Sequence, residues 1–189
     1  AVAARLRADG YHVATIDLRP SDDEFGYVAD VTDRAQVDAA LDAVRSRLGP
    51  VTVLVNAAGL DLFKRFTDIT FEDWLHIIDV NLHGVFHCTQ AVLPDMIEAG
   101  WGRIVNSGGT LEPPDQVNGS TVAKAAVLAW AKSLSREVGR SGVTVNTICP
   151  GWVDTEMVAD LRRDPRFDKR VLRRVAARRW GVPSDMDGA

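Results

Sequence analysis

The sequence lacks several things. It has two cysteines in 189 residues, Cys88 and Cys149, with no CxxC and no close pair, which excludes a dense disulfide framework and a zinc ribbon. Both are expected to be buried, reduced thiols of a cytosolic protein. No apolar run approaches the roughly 18 residues that a membrane span needs. No signal segment opens the chain either, because arginines interrupt the apolar pattern of AVAARLRADG. Neither sign of charge dominates: 22 basic and 26 acidic residues leave −4, so no global field recruits nucleic acid or an anionic membrane. No histidine–cysteine cluster has ligand spacing. His83 and His87 are an i,i+4 pair without a third ligand or an HExxH pattern, and no metal is expected. There is no internal repeat. The composition, 46% hydrophobic and 25% charged, is that of one ordinary globular domain, expected to span residues 1–189.

What is present is an alternation of short apolar runs and amphipathic stretches. Ala1–Ala8 has helical composition and Gly10 closes it. His12–Asp17 reads as a strand, RPSDDEFG as a polar turn and YVAD as a second strand. Asp33 with Gln36 resembles a capping box, before a helix whose apolar residues fall at Val37, Leu41, Val44 and Leu48. Val51–Val55 is an unbroken apolar strand, as expected where helices cover both faces of a parallel sheet. Thr70 and Asp73 cap a long helix through Trp74, Ile77, Leu82 and Phe86, with Pro94 perturbing its far end. Arg103–Asn106 is a strand and SGGTLEPPDQVNG a loop. Ala123, Ala126, Val127, Trp130 and Leu134 line one helix face, and Val143–Ile148 is the last strand. The fold class that follows is α/β: a doubly wound parallel sheet, Rossmann-like, in three αβα layers.

In such sheets ligands bind beyond the carboxyl ends of the strands. The residues there are Asp17, Asp30, Asn56-Ala57-Ala58-Gly59, Ser107 and Pro150-Gly151. Each alone reads as turn chemistry. Together with NAAG (56–59), VNL (80–82), GRIVN (102–106), AKAAV (123–127) and ICPGWVDT (148–155), in order and at consistent spacing, they do not. Over nearly its whole length the chain resembles the short-chain dehydrogenases/reductases.

The resemblance implies an oxidoreductase that moves a hydride between NAD(H) and an alcohol/ketone pair. It places Asp17 against the ribose hydroxyls of NAD, where a carboxylate accepts from both and repels the 2′-phosphate of NADP; Arg19 keeps NADP open. It puts Asp30 and Val31 beside the adenine, Asn56, Ala57, Ala58 and Gly59 under the adenine pocket, and Asn81 on a water of the proton relay. It lays Pro150, Gly151, Val153 and Thr155 along the nicotinamide. Lys124 matches the active-site lysine, which bonds the nicotinamide ribose and lowers the pKa of a neighbouring phenol.

Two departures accompany the resemblance. Where the family has its tyrosine, four residues before the lysine, this chain has Ser120. An aliphatic hydroxyl neither ionises near neutrality nor reaches as far as a phenol, and losing a positioned acid/base costs about 10²- to 10⁴-fold in rate. Ser107 precedes Ser120 by the family's serine-to-tyrosine spacing, whereas counting forward from GRIVN puts Gly109 or Thr110 near the serine position; Ser107 is preferred. The second departure is the absence of GxxxGxG, the turn that seats the pyrophosphate on a helix N-terminus. A strand that the family places between those ending at Asp17 and Val55 is also missing. The fold is therefore expected to be incomplete at both termini, the sequence being a piece of a longer chain.

The alternative function is a non-catalytic scaffold or pseudoenzyme subunit. Resemblance also implies a homodimer or homotetramer through the helices carrying Asn81–Gln90 and Lys124–Val138, in the cytoplasm, with no membrane or nucleic-acid partner. The arginine-rich stretch Arg162–Arg179, interleaved with Asp160, Asp164 and Asp168, reads as a solvated helical face that in the family covers the substrate pocket. Trp101, Trp152 and Trp180 are candidates to wall an apolar pocket.

Overall fold

A computed structural model describes residues 2–62, 64–109 and 119–186. In chain order the elements are α1 (Val2–Ala8), β1 (Thr15–Asp17), β2 (Gly26–Val28), α2 (Arg34–Leu48), β3 (Val53–Asn56), α3 (Phe71–Ile78), α4 (Gly84–Glu98), β4 (Gly102–Ser107), α5 (Gly119–Val138), β5 (Val143–Ile148), α6 (Ala159–Arg162) and α7 (Pro165–Arg174). The contacts divide the chain into two compact units, Val13–Cys149 and the two terminal stretches on either side of it. All five strands belong to the first.

Local chemistry sets the helix boundaries. Asp33 caps α2 by accepting from the Ala35 and Gln36 amides. The expected reciprocal box is not formed there, since Gln36 Oε1 takes the Asp30 amide instead. At α3 the box is complete: Thr70 accepts from the Asp73 amide and Asp73 from that of Thr70. Lys64 adds an ammonium to Asp73 at 2.8 Å, and together these bonds hold its carboxyl down to about 2. Pro94 does not end α4, which runs through it to Glu98. Between α3 and α4 the residues Asp79–His83 form a single π-turn, a local under-winding that sequence periodicity does not signal.

The strands are parallel throughout but form two sheets, β1-β2 and β3-β4-β5. Among the described residues no ladder joins β1 to β3, so each has one neighbour. The fold is Rossmann-like, with helices flanking parallel strands. One expectation is corrected: β3 is not buried on both faces. Val53, Leu54 and Val55 are only half-buried, because a strand with one ladder partner leaves its other edge uncovered, whereas β4 between two partners alternates fully buried and half-buried positions. The core gathers Val37 and Leu41 of α2, Val92 and Met96 of α4, Ile104 of β4, Ala131 of α5 and Val143 of β5. Ile16 of β1 and Leu54 of β3 lean on it from both sheets. Burying side chains of this size contributes about 1.5–3 kcal/mol each.

The second unit is smaller. Val158, Val171 and Trp180 are buried against Trp152 and Phe167, and Trp152 makes edge contacts with both aromatic rings. Val153 and Gly181 form a lone parallel bridge. No described helix is long and apolar enough to cross a membrane.

Candidate active site

Three parallel strands end side by side at Asn56, Ser107 and Ile148, and their ladder register brings those ends level. Asn56 is spent on structure. Its Nδ2 donates to Thr89 Oγ1 and Asn106 Oδ1, which ties β3 to α4 and β4. That leaves Ala57 and Ala58 exposed and Gly59 half-buried as a small-residue floor.

The π-turn turns Asn81 inward over this floor. Asn81 is fully buried, and its Nδ2 donates to the Leu60 carbonyl at 2.8 Å and the Ile77 carbonyl at 3.0 Å. Its Oδ1 is buried without a hydrogen-bond partner among the described residues. A buried acceptor left empty is costly, so this oxygen is built to receive a donor. Lys124 enters from α5: its Nζ donates to the Ser107 carbonyl at 2.7 Å. The two groups converge on Gly59, where a Cβ would lie 2.8 Å from Asn81 Oδ1 and 3.4 Å from Lys124 Nζ. Only a glycine leaves that space open. Burial pushes the Lys124 ammonium below the ordinary lysine value, opposed by the carboxylate of Asp61.

Ser120 lies half-buried one helical turn before Lys124, hence on the same face of α5, and its hydroxyl has no hydrogen-bond partner among the described residues. Gly109 lies directly on the lysine stem, where a Cβ would meet Lys124 Cβ at 2.9 Å. Ser107 thus offers Lys124 its carbonyl, while Gly109 lines the lysine itself; Thr110, the other candidate for the serine position, lies outside the described residues.

The remaining candidates are distributed. Asp17 is exposed at the end of β1, with Oδ1 accepting from the Arg19 amide at 2.9 Å. Asp30 folds its carboxylate onto Thr32, accepting from amide and hydroxyl, and the Val31 carbonyl faces His87 Nδ1 at 3.0 Å. These three stand at the β1-β2 sheet, and among the described residues none of them hydrogen-bonds to Asn81 or Lys124. Pro150, Gly151, Val153 and Thr155 belong to the second compact unit, where Thr155 is exposed and extended.

Two expectations need correction. Cys149 is exposed, at the end of β5 beside Gly108; only Cys88 is buried, and burial pushes its thiol up to about 11. Trp101 stands away from the candidate site. It precedes β4, at the opposite end of that strand from Ser107, and stacks under the Arg103 guanidinium. Asp61 went unnoticed in the sequence, although its place two residues beyond NAAG was the available signal. His83 pairs with Asp79 and His87 faces the Val31 carbonyl, and no group of three or more metal-ligating side chains stands together among the described residues.

The profile of the short chain dehydrogenase family matches residues 1–166. The chain belongs to that family. A 3-oxoacyl-(acyl-carrier-protein) reductase of Mycobacterium avium is 36% identical over 194 residues, covering 100% of this chain and 75% of that protein. An acetoacetyl-CoA reductase of Cupriavidus necator is 38% identical over 168 residues, 86% of this chain and 67% of its own length. Among solved structures, a gluconate 5-dehydrogenase from Burkholderia cenocepacia in complex with NADP and tartrate superposes with a TM-score of 0.82 at 31% identity, over 98% of this chain and 69% of that one. The chain therefore spans roughly two thirds to three quarters of the relatives it matches. It is an oxidoreductase-family fold of the pyridine-nucleotide type.

Proposed function

We propose that this chain binds a pyridine nucleotide and acts on an alcohol/ketone pair, with a 3-oxoacyl thioester as the first ketone to test, and that Ser120 holds its turnover far below that of a tyrosine-bearing relative. The observation that carries this reading is the convergence of Lys124 Nζ and the unfilled Asn81 Oδ1 over Gly59. The residues fit the nucleotide at its two ribose ends. Lys124 has two N–H donors left after the Ser107 carbonyl, suited to the nicotinamide ribose, and Asp17 offers its second carboxylate oxygen to the other ribose. The nicotinamide, when bound, supplies or accepts the hydride.

The chain's own part is positioning and proton handling. Asn81 Oδ1 holds a donor, a water in this reading, within reach of the ammonium. The ammonium fixes the ribose and raises the local positive charge. The oxygen of the substrate then needs a proton, and Ser120 can pass one only through water, because its hydroxyl does not ionise near neutral pH. The same serine supports the second reading, a scaffold that keeps the fold for assembly; Phe86, exposed on α4, fits a homodimer face.

The deciding experiment titrates the chain with NADH and then NADPH, following energy transfer from tryptophan. Asp17 favours NADH, whereas the gluconate 5-dehydrogenase relative carries NADP, so the preferred nucleotide is itself a result. Saturable binding followed by a 10²- to 10⁴-fold gain in ketone reduction for Ser120→Tyr supports the enzyme. A folded chain that binds neither nucleotide at millimolar concentration supports the scaffold.

A further inference from the structure

The two ends of the candidate site stand on separate sheets. Asp17 and Asp30 come at the ends of β1 and β2, whereas Gly59 follows β3 and Ser107, at the end of β4, holds Lys124. No ladder joins the two sheets among the described residues, so backbone pairing does not set the distance between those ends. Side chains must set it.

The π-turn and α4 meet both. At the π-turn Asn81 is fastened over Gly59 by the Leu60 and Ile77 carbonyls. Less than two turns later His87, half-buried on α4, brings Nδ1 to 3.0 Å from the Val31 carbonyl. A carbonyl can only accept, so the hydrogen of that bond belongs to Nδ1. One turn before His87, Gly84 makes room for the Val31 side chain: a Cβ there would lie 2.6 Å from Val31 Cγ2. One face of α4 thus clasps Val31 by its carbonyl and by its side chain.

Other bonds already do the structural work on either side of this clasp. The Asp30–Asp33 loop is shaped from within: Asp30 Oδ1 accepts from the Thr32 amide and hydroxyl, Gln36 Oε1 accepts from the Asp30 amide, and the Asp33 amide donates to the Asp30 carbonyl. Helix α2 is joined to α4 by Arg34 on Gln90 at one end, and by Arg45 on Asp95 and the Ala91 carbonyl at the other. What the clasp adds is the place of the loop relative to Asn81.

We infer, on the nucleotide reading above, that His87 is a positioning residue for the dinucleotide: through Val31 it holds the adenine end of the site, Asp30 with Asp17, at a fixed distance from the nicotinamide end, Asn81 with Lys124. Asp30 suits that end, because both its bonds to Thr32 fall on Oδ1 and Oδ2 is left to accept from an exocyclic amine. A ligand spanning both ends gains from their fixed separation, whereas either half bound alone does not.

Binding of the whole dinucleotide and of its halves tests this. The dinucleotide that the chain prefers, NADH or NADPH, and reduced nicotinamide mononucleotide are followed by energy transfer from tryptophan, and AMP by calorimetry. His87→Leu should weaken the dinucleotide about three- to tenfold, the net worth of one hydrogen bond, and leave both halves bound as in the parent. His87→Asn, whose amide N–H stands in for that of Nδ1, should restore most of the affinity. Arg45→Gln breaks a tie between α2 and α4 at their far ends, and should lower the urea midpoint without weakening the dinucleotide. Nitrogen-15 spectra of the parent should show the neutral His87 ring protonated at Nδ1. A parent that binds neither dinucleotide refutes the nucleotide reading and this inference with it. If the parent binds, the positioning role alone is overturned by any of four results. These are undiminished binding by His87→Leu, an equal loss for AMP, an equal loss in Arg45→Gln, or His87→Asn binding no better than His87→Leu. An Nδ1 without its hydrogen overturns it as well.

Discussion

Gly59→Ala puts the convergence at the site under direct test. The new Cβ would lie 2.8 Å from Asn81 Oδ1, closer than real Cβ atoms come to any neighbour. The amide cannot swing aside freely, because it is solvent-free and its Nδ2 is held by the Leu60 and Ile77 carbonyls. Displacing it carries an overpacking cost of about 1–3 kcal/mol. Weakening those two hydrogen bonds adds part of about 0.5–1.5 kcal/mol each. The expected loss is therefore about 2–4 kcal/mol, a large share of a typical 5–15 kcal/mol total. Urea unfolding of the parent, Gly59→Ala, Asn81→Ala and the double variant measures it. With Asn81 truncated the clash disappears, so adding alanine at Gly59 should then cost less than about 1 kcal/mol, a coupling of at least about 1 kcal/mol. Ala58→Ser, on the exposed floor, should be neutral. If Gly59→Ala costs the same with and without Asn81, the two residues do not share this space and the site as drawn is wrong.

Other consequences are simpler to check. One thiol should react with Ellman's reagent in the folded chain, and Cys149→Ser should remove it; Cys88, buried with its thiol pushed up to about 11, should react only after denaturation. Thr70→Ala should cost about 1 kcal/mol by removing the α3 cap. Because Asp73 is held at about 2 against 3.8, its contribution is present above 3.8 and fades as pH falls towards 2, so acid unfolding should come earlier in Asp73→Asn controls that lack it. Lys124 works in the other range. Its folded value lies below 10.5, so between the two the unfolded chain binds more protons and stability rises with pH; unfolding midpoints of Lys124→Met should lack that alkaline rise.

How much of this was legible depended on whether the cause was local. Thr70 and Asp73 announce their cap because both partners lie within one turn, and Val143–Ile148 announces a strand through β-branching alone. The candidate site was legible as a set, since Gly59, Asn81, Ser107 and Lys124 follow strand ends or helix faces. The π-turn was not, because nothing in DVNLH differs from an α-helical pattern; the under-winding appears only where Asn81 meets the Leu60 carbonyl and Gly84 meets Val31. The half-exposure of β3 and of Cys149 was hidden for a related reason, as a strand cannot state how many neighbours it will have.

The arginine-rich stretch gives the sharpest case. Read along the chain, Asp160, Asp164 and Asp168 dilute the basic residues into an ordinary solvated face. Folded, each carboxylate has its own assignment: Asp160 to Arg163, Asp164 to the α7 cap and Asp168 to the Trp180 indole and Arg162. Interleaving in sequence is not interleaving in space, because a helix sorts residues by angle and a cap or an indole claims a carboxylate by distance. A charge pattern therefore has to be counted after the acids have been assigned.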